Sequence, residues 1–339
     1  MVQLNSNYRS IIIDAMGGDF APGEIIKGSI EAKEAFGAKI KLVGNIGKIK
    51  KAAELNHVNL DGIKIVSAPQ EVSMDEPPSE VLRKKRNSSI YIGSQLASGE
   101  TGNAFISAGS TGAIMACSLF NMKRIENIAR PAIAVVIPLS DKKFVLIDAG
   151  ANADCKPLYL KQFAVMGKIY SENIIGVKNP KVALVNIGKE EKKGNKLAIE
   201  SYGLLKDCSN INFIGNVEGR ELFDGITDVA VCSGFVGNVI LKLIEGMAGF
   251  LFGEIKRILT SSMVAKLSAL GIKSSLIKMK KKFDYEEYGG AQLLGLNGLV
   301  IISHGSSKSK AIKNAVRAAI DSLNTNLITK ISKEVKNIN

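Results

Sequence analysis

The chain has 339 residues, 46% of them hydrophobic, and a formal net charge of +13; this supports one large α/β domain or two intimately packed halves and excludes a disordered chain. Four cysteines without a Cys-x-x-Cys pair, and only two histidines, argue against a disulfide framework or a zinc site and fit a reducing cytosol. Tryptophan is absent, so base-stacking platforms are scarce, and the positive charge points to an acidic partner or an anionic surface rather than to nucleic acid.

The first residues carry no apolar run of the signal-peptide kind, and no charge-free run of about eighteen apolar residues follows, so neither secretion nor a membrane span is expected. Residues 11–14 read as a strand. Ala21 and Pro22 then supply a proline suited to a first helical turn, and Ile25, Ile26, Ile30 and Lys33 continue with helical spacing. The next strand falls at 39–43, closing a right-handed βαβ unit. Further strands are predicted near 63–66, 103–107, 132–138, 143–147, 181–186, 211–214, 228–232 and 299–302, with helices between most of them. The pair 132–138 and 143–147, separated only by Leu139, Ser140, Asp141 and Lys142, reads as a hairpin, so the sheet should be mixed but mostly parallel. The expected architecture is a layered α/β/α domain over 1–339.

Two segments break the rhythm. Residues 68–78 hold Pro69, Pro77 and Pro78 and read as a long surface flap. Within 245–283, Lys256, Arg257, Lys266, Lys273, Lys278, Lys280, Lys281 and Lys282 face no acid after Ile255, and Ile258, Leu259, Met263, Leu267, Leu270, Ile272, Leu276, Ile277 and Met279 interleave with them. Such a basic, amphipathic stretch either lies on an anionic membrane or packs as a helix pair at a dimer interface, and the two uses are compatible.

Six strand ends break into glycine and small polar residues before a helix-forming segment. They deliver Asp14, Gly17, Gly18 and Asp19; Ser107, Gly109, Ser110, Thr111 and Gly112; Asp148, Asn152 and Asp154; Asn186, Gly188, Lys189, Lys192 and Lys193; Ser233 and Asn238; and His304, Ser306 and Ser307. Strand-to-helix corners of this kind present backbone N–H groups and a helix N-terminus to an anion. Hydroxyls, amides and lysines on a glycine-bounded loop suit inorganic phosphate. The carboxylate cluster of a two-metal phosphatase is missing, and no metal or cofactor is expected. The dinucleotide glycine fingerprint, the P-loop and the Gly-x-Ser-x-Gly elbow are missing too. Cys232, at a strand end, reads as a small buried apolar residue rather than a nucleophile.

Taken in order, 14–23 (Asp-Ala-Met-Gly-Gly-Asp-Phe-Ala-Pro-Gly), 107–113 (Ser-Ala-Gly-Ser-Thr-Gly-Ala), Arg130-Pro131-Ala132, 148–157 (Asp-Ala-Gly-Ala-Asn-Ala-Asp-Cys-Lys-Pro), 162–167, 186–195, 215–219, 234–238 (Gly-Phe-Val-Gly-Asn), 288–291 and 304–307 (His-Gly-Ser-Ser) resemble the bacterial PlsX family, the phosphate acyltransferases of phospholipid synthesis. The resemblance covers nearly the whole chain. It implies a fold like that of isopropylmalate dehydrogenases and phosphotransacetylases, usually homodimeric. It implies that inorganic phosphate attacks the thioester of a long-chain acyl carrier protein to give acyl phosphate. It also implies a cytoplasmic enzyme that touches the membrane peripherally and hands its product to a membrane glycerol-phosphate acyltransferase. Lys193 and Asn238 are similar to residues thought important in the family, whereas Ser233 stands where the family usually has aspartate. On this reading Lys193 and the amides of 109–112 neutralise phosphate and Asn238 or Asn186 donates to the thioester oxyanion. His304 orients phosphate, protonates the leaving thiolate, or makes a structural hydrogen bond. An acidic carrier protein suits the basic chain. A short-chain phosphotransacetylase using coenzyme A, a metal-dependent β-decarboxylating dehydrogenase of similar fold and a membrane-associated scaffold without turnover remain the alternatives.

Overall fold

The structure, a computed structural model, describes residues 10–98, 103–283 and 285–336. The strands are β1 (Ser10–Asp14), β2 (Ile40–Gly44), β3 (Lys64–Ser67), β4 (Asn103–Ser107), β5 (Ala132–Pro138), β6 (Lys143–Ile147), β7 (Lys181–Asn186), β8 (Asn212–Glu218), β9 (Val229–Val231), β10 (Ala291–Leu294) and β11 (Leu299–Ile302). They form one sheet in the order β3-β2-β1-β4-β11-β10-β5-β6-β9-β7-β8. Pairing is parallel except where β10 meets β11 and β5, and where β5 meets β6 in the expected hairpin. Ten of these strands follow the sequence pattern. The exception, β10, is a short Ala-Gln-Leu-Leu stretch between glycines with no β-branched residue, and it gives no local strand signal.

The helices are α1 (Gly23–Phe36), α2 (Ile46–Leu55), α3 (Pro78–Lys84), α4 (Ser89–Ser98), α5 (Thr111–Met122), α6 (Pro157–Tyr170), α7 (Lys196–Lys206), α8 (Gly234–Leu259), α9 (Met263–Phe283), α10 (Ser309–Asn324) and α11 (Leu327–Val335). Side-chain alternation along the strands explains the layers. Ile11, Ile13, Ala104, Ile106 and Ile301 are buried with Ile25 and Ile26 of α1 and Ile312 of α10. Farther along the same face, Ala134, Val145, Ile147, Val182 and Val229 pack with Phe163 of α6 and Ile331 of α11. The opposite face carries Ile12, Phe105, Val300, Leu293, Ile133, Leu146 and Ala230 in one continuous cluster, roofed by α4, α5 and the first half of α8 through Ile240, Leu241 and Ile244.

Two topological facts position the site. The chain leaves β1 for β2 on one side and reaches β4 on the other; it leaves β7 for β8 and returns to β9 on the other side. Each is a switch point, where parallel α/β sheets open a crevice beyond their strand ends. A single cross-strand row, Ile13–Ile106–Ile301–Gln292–Ala134–Ile147–Val231–Leu184, runs through both. Asp14, Ser107, Asp148 and Cys232 are each the next residue after that row. Although the strands of the two halves run in opposite directions, both sets of loops therefore leave the sheet near its mid-height, and these side chains project on the face that α8 covers.

Helices α8 and α9 form a hairpin that stands largely outside the core. Leu243, Met247, Phe250, Leu251, Ile258, Val264 and Leu270 are exposed, and Phe252 meets Phe283 at a ring separation of 6.4 Å. An apolar groove of about 690 Å³, rimmed by Lys256, Lys266, Lys273 and Lys280, runs between the two helices. Lys242 and Glu245 interrupt the apolar run of α8. By length and mean hydropathy, 1.6 over its best window, this helix is nevertheless long and apolar enough to cross a membrane.

Candidate active site

The first crevice is built on Asp14, which is 1% exposed at the end of β1. One carboxylate oxygen accepts the Met16 amide at 2.9 Å and the other accepts the Ser107 hydroxyl at 2.7 Å. Ser107 Oγ in turn accepts the Gly109 amide at 3.1 Å. Burial pushes the Asp14 carboxyl above its ordinary range, against the opposing effect of hydrogen bonds from Ser89, Ser107 and the Met16 and Gly17 amides. These hydrogen bonds tie the Asp14 carboxylate into the shape of the loop. Space is equally constrained: a Cβ on Gly17 would lie 2.6 Å from Asp14 Oδ2 and 2.7 Å from the Gly109 nitrogen. Gly18 has φ +104 and abuts Ala108 and Gly305, and the Asp19 amide donates to Gly305 O at 2.8 Å. The loops after β1, β4 and β11 are therefore one interlocked unit.

Into this unit α5 points its N-terminus. Ser110 is its N-cap but makes no side-chain capping hydrogen bond, so the N–H groups of the first turn, at Thr111 and Gly112, are left for an anion. Thr111 is exposed at the surface and Gly112 half-buried. The proline-rich segment 68–78 reaches the same place. Its last proline, Pro78, opens α3 and lies 2.8 Å from where a Cβ on Gly112 would stand, and the Met74 methyl lies 3.2 Å from the equivalent position at Gly305. His304 Nδ1 is 2.8 Å from Ser306 Oγ, and its Nε2 is 3.4 Å from Lys242 Nζ.

The second crevice is built on Asp148. Its carboxylate accepts five hydrogen bonds, from the amides of Ile133, Gly150, Ala151 and Asn152 and from the Asn152 side chain, at 2.8–3.2 Å. Asn152 also donates to Pro131 O at 2.8 Å, and its carbonyl accepts the Gly234 amide. Asp148 and Asn152 hold the start of α8 against β5 and β6. Cys232 donates to Asp148 O at 3.6 Å; burial holds its thiol well above the usual range, which is not the setting of a nucleophile. Ser233 is the N-cap of α8 and accepts the Val236 amide at 3.4 Å. It thereby performs the capping that an aspartate at this position would perform. Asn238, one turn into α8, is exposed and lies against Gly150.

The lysine loop after β7 belongs to this second crevice. The Asn186 amide donates to Lys193 O at 3.0 Å and its oxygen accepts the Ile187 amide, so Asn186 shapes the loop. Gly194, at φ +95, makes the reversal beside Asn186, and Gly188 is buried at the other end of the loop. Lys189 is paired with Glu221 at 2.5 Å; Lys192 and Lys193 are exposed, and no described carboxylate lies within ion-pair distance of either.

The structure thus gathers Asp14, Gly17, Gly18, Gly109, Ser110, Thr111, Gly112, His304 and Ser306 at one crevice and Asp148, Asn152, Asn186, Gly188, Lys193, Ser233 and Asn238 at the other, with α8 crossing between them. Sequence reasoning missed Lys242 and Ser89. A lysine interrupting Val239-Ile240-Leu241 and Leu243-Ile244 was the signal for the first; nothing local marked the second. Among the described residues no three His, Cys, Asp or Glu side chains come together as a metal cluster.

The family described as "Fatty acid synthesis protein" matches residues 10–330. A phosphate acyltransferase of Halothermothrix orenii is 50% identical over 328 residues, covering 96% of this chain and 98% of that protein. One from Pelotomaculum thermopropionicum is 48% identical, covering 97% and 95%. Among solved structures, the EutD phosphotransacetylase of Staphylococcus aureus superposes with a TM-score of 0.62 at 16% identity, over 94% of this chain and 96% of its own, a likeness of fold.

Proposed function

The chain belongs to the fatty acid synthesis protein family of phosphate acyltransferases, and from that premise we propose that it transfers a long-chain acyl group from acyl carrier protein to inorganic phosphate. A phosphate oxygen attacks the thioester carbonyl carbon, the C–S bond breaks, and the proton carried by hydrogen phosphate ends on the carrier's thiol; acyl phosphate is the other product. The observation that supports it best is the uncapped N-terminus of α5 set in loops too tight for any side chain at Gly17. Such a site recognises a small oxyanion through backbone N–H groups without reorganising. Lys193 and Asn238, on the facing crevice, meet the thioester and its oxyanion; one oxyanion donor contributes about 3 kcal/mol. Because phosphate is itself the nucleophile, no acyl-enzyme is required. Adding hydroxylamine to a reaction of palmitoyl carrier protein, phosphate and enzyme should yield palmitoyl hydroxamate faster than the same mixture without phosphate or without enzyme; a yield that ignores phosphate would refute the assignment.

The acidic carrier protein is attracted by the +13 chain and its encounter should slow with salt. The exposed apolar side chains and the many lysines of α8 and α9 support a peripheral seat on an anionic membrane, a homodimer contact, or both, in a cytoplasmic enzyme that passes acyl phosphate to a membrane glycerol-phosphate acyltransferase. Flotation with vesicles containing phosphatidylglycerol, but not with phosphatidylcholine alone, is the expected result; no flotation with either would refute the membrane seat.

A further inference from the structure

We infer that Lys242, a residue outside the loops, supplies the cation of the phosphate subsite in the first crevice, an assignment that rests on the reading above that this crevice takes phosphate. Lys193, the lysine suggested by the sequence, sits on the loop after β7, in the other half of the sheet. Lys308, near the first crevice in sequence, lies over the Phe20 ring at 5.3 Å. Lys242 reaches the crevice directly, because α8 starts at the second crevice and crosses the sheet face with Ile240, Leu241 and Ile244 pressed into the core. Its Nζ comes within 3.4 Å of His304 Nε2, and the His304 loop is bound to the loop after β1 through Gly305 O.

Lys242 Nζ lies beside the outer ring nitrogen of His304, whose Nδ1 accepts the Ser306 amide at 3.2 Å and lies 2.8 Å from Ser306 Oγ. Glu245, one turn on, holds the same ammonium at 2.7 Å. That carboxylate engages one of the ammonium's three donors, and donors remain for a phosphate oxygen. Lys242 and Asn238 are also four residues apart on one helix face. A single rigid element would therefore present a donor for the thioester oxyanion and a cation for the nucleophile, fixing their separation and joining the two crevices into one site.

The experiment varies inorganic phosphate at saturating palmitoyl carrier protein for wild type, Lys242→Gln, Lys242→Arg and a surface control, Lys51→Ala. Loss of one charge-assisted hydrogen bond should raise the KM for phosphate about 10- to 100-fold in Lys242→Gln, with the KM for the acyl donor within about twofold; Arg should recover most of the loss, and the control should match wild type. Phosphate should also raise the melting temperature of the wild type but not of Lys242→Gln, a readout independent of turnover. An unchanged phosphate KM, or an equal rise in both KM values, would overturn the assignment. Thiol release by wild type that ignores phosphate would instead overturn the functional reading on which it rests.

Discussion

Replacing Gly237 by alanine tests the docking of α8 on which the whole site depends. A Cβ there would stand 1.9 Å from the Asp148 carbonyl oxygen, 2.9 Å from its carbon and 3.0 Å from Cys232 Sγ. To bring the first contact to at least 3.0 Å, helix or loop must retreat by about 1.1 Å. The loop cannot give easily, because the Asp148 side chain ties it down with five hydrogen bonds. Alanine gains about 1 kcal/mol of helix propensity, but a contact of 1.9 Å with backbone oxygen belongs at the upper end of overpacking costs, about 3 kcal/mol or more, so the variant should be less stable by about 2 kcal/mol or more. The functional loss should be larger in proportion. Asn238 and Lys242 ride on the displaced segment, and a misplacement of about 1 Å can cost about 100-fold in rate. Gly203, inside α7 with nothing within 4 Å of its Cβ position, is the control: alanine there should stabilise by up to about 1 kcal/mol and leave activity unchanged. Urea unfolding and thiol-release kinetics measure both quantities. A Gly237→Ala enzyme with wild-type midpoint and kcat would refute the claim that close backbone contact positions α8.

Other consequences follow from particular contacts. Ser233→Ala, which removes the α8 cap, should cost about 1 kcal/mol in urea unfolding, whereas Ser233→Asp should match or slightly exceed wild type because a carboxylate also suits the helix N-terminus. Cys232→Ala should retain substantial activity, and mass spectrometry of the wild type with acyl donor should find no acyl-cysteine. Burial raises the Cys155 thiol to about 11, so its thiolate fraction is small at neutral pH, and its alkylation should accelerate only as pH approaches that value; rapid labelling at neutral pH would contradict the buried setting. Lys193→Ala should lower kcat/KM far more than Lys192→Ala, since Asn186 anchors the backbone of 193 alone of the two; equal losses would remove Lys193 from the reaction.

Local chemistry made most of this fold readable. Apolar strand runs, the proline before α1, and the glycine corners after β1, β4 and β7 each signal themselves within a few residues, and β5 and β6 are adjacent in sequence as well as in space. The strand β10 did not, because its place is fixed by pairing with β11 and β5 rather than by propensity. The division of the candidate site was hidden for the same reason. Six similar corners suggest one cluster, whereas the order of strands assigns them to two crevices. Roles were blurred too: Asp14, Asp148, Asn152 and Asn186 are the residue types that bind ligands, and they also hold the loops together through backbone groups, the Ser107 hydroxyl and one another, partners that only the folded chain supplies. Lys242 sits in an apolar helix and gains meaning only when that helix crosses the sheet to His304.

The most direct test of the account is the release of free thiol from palmitoyl carrier protein measured with and without inorganic phosphate, with palmitoyl-coenzyme A in parallel. The account predicts release that requires phosphate, saturates with it, and strongly favours the carrier protein. Release from coenzyme A alone would shift the donor to a phosphotransacetylase type, and release independent of phosphate would contradict direct attack by a bound phosphate.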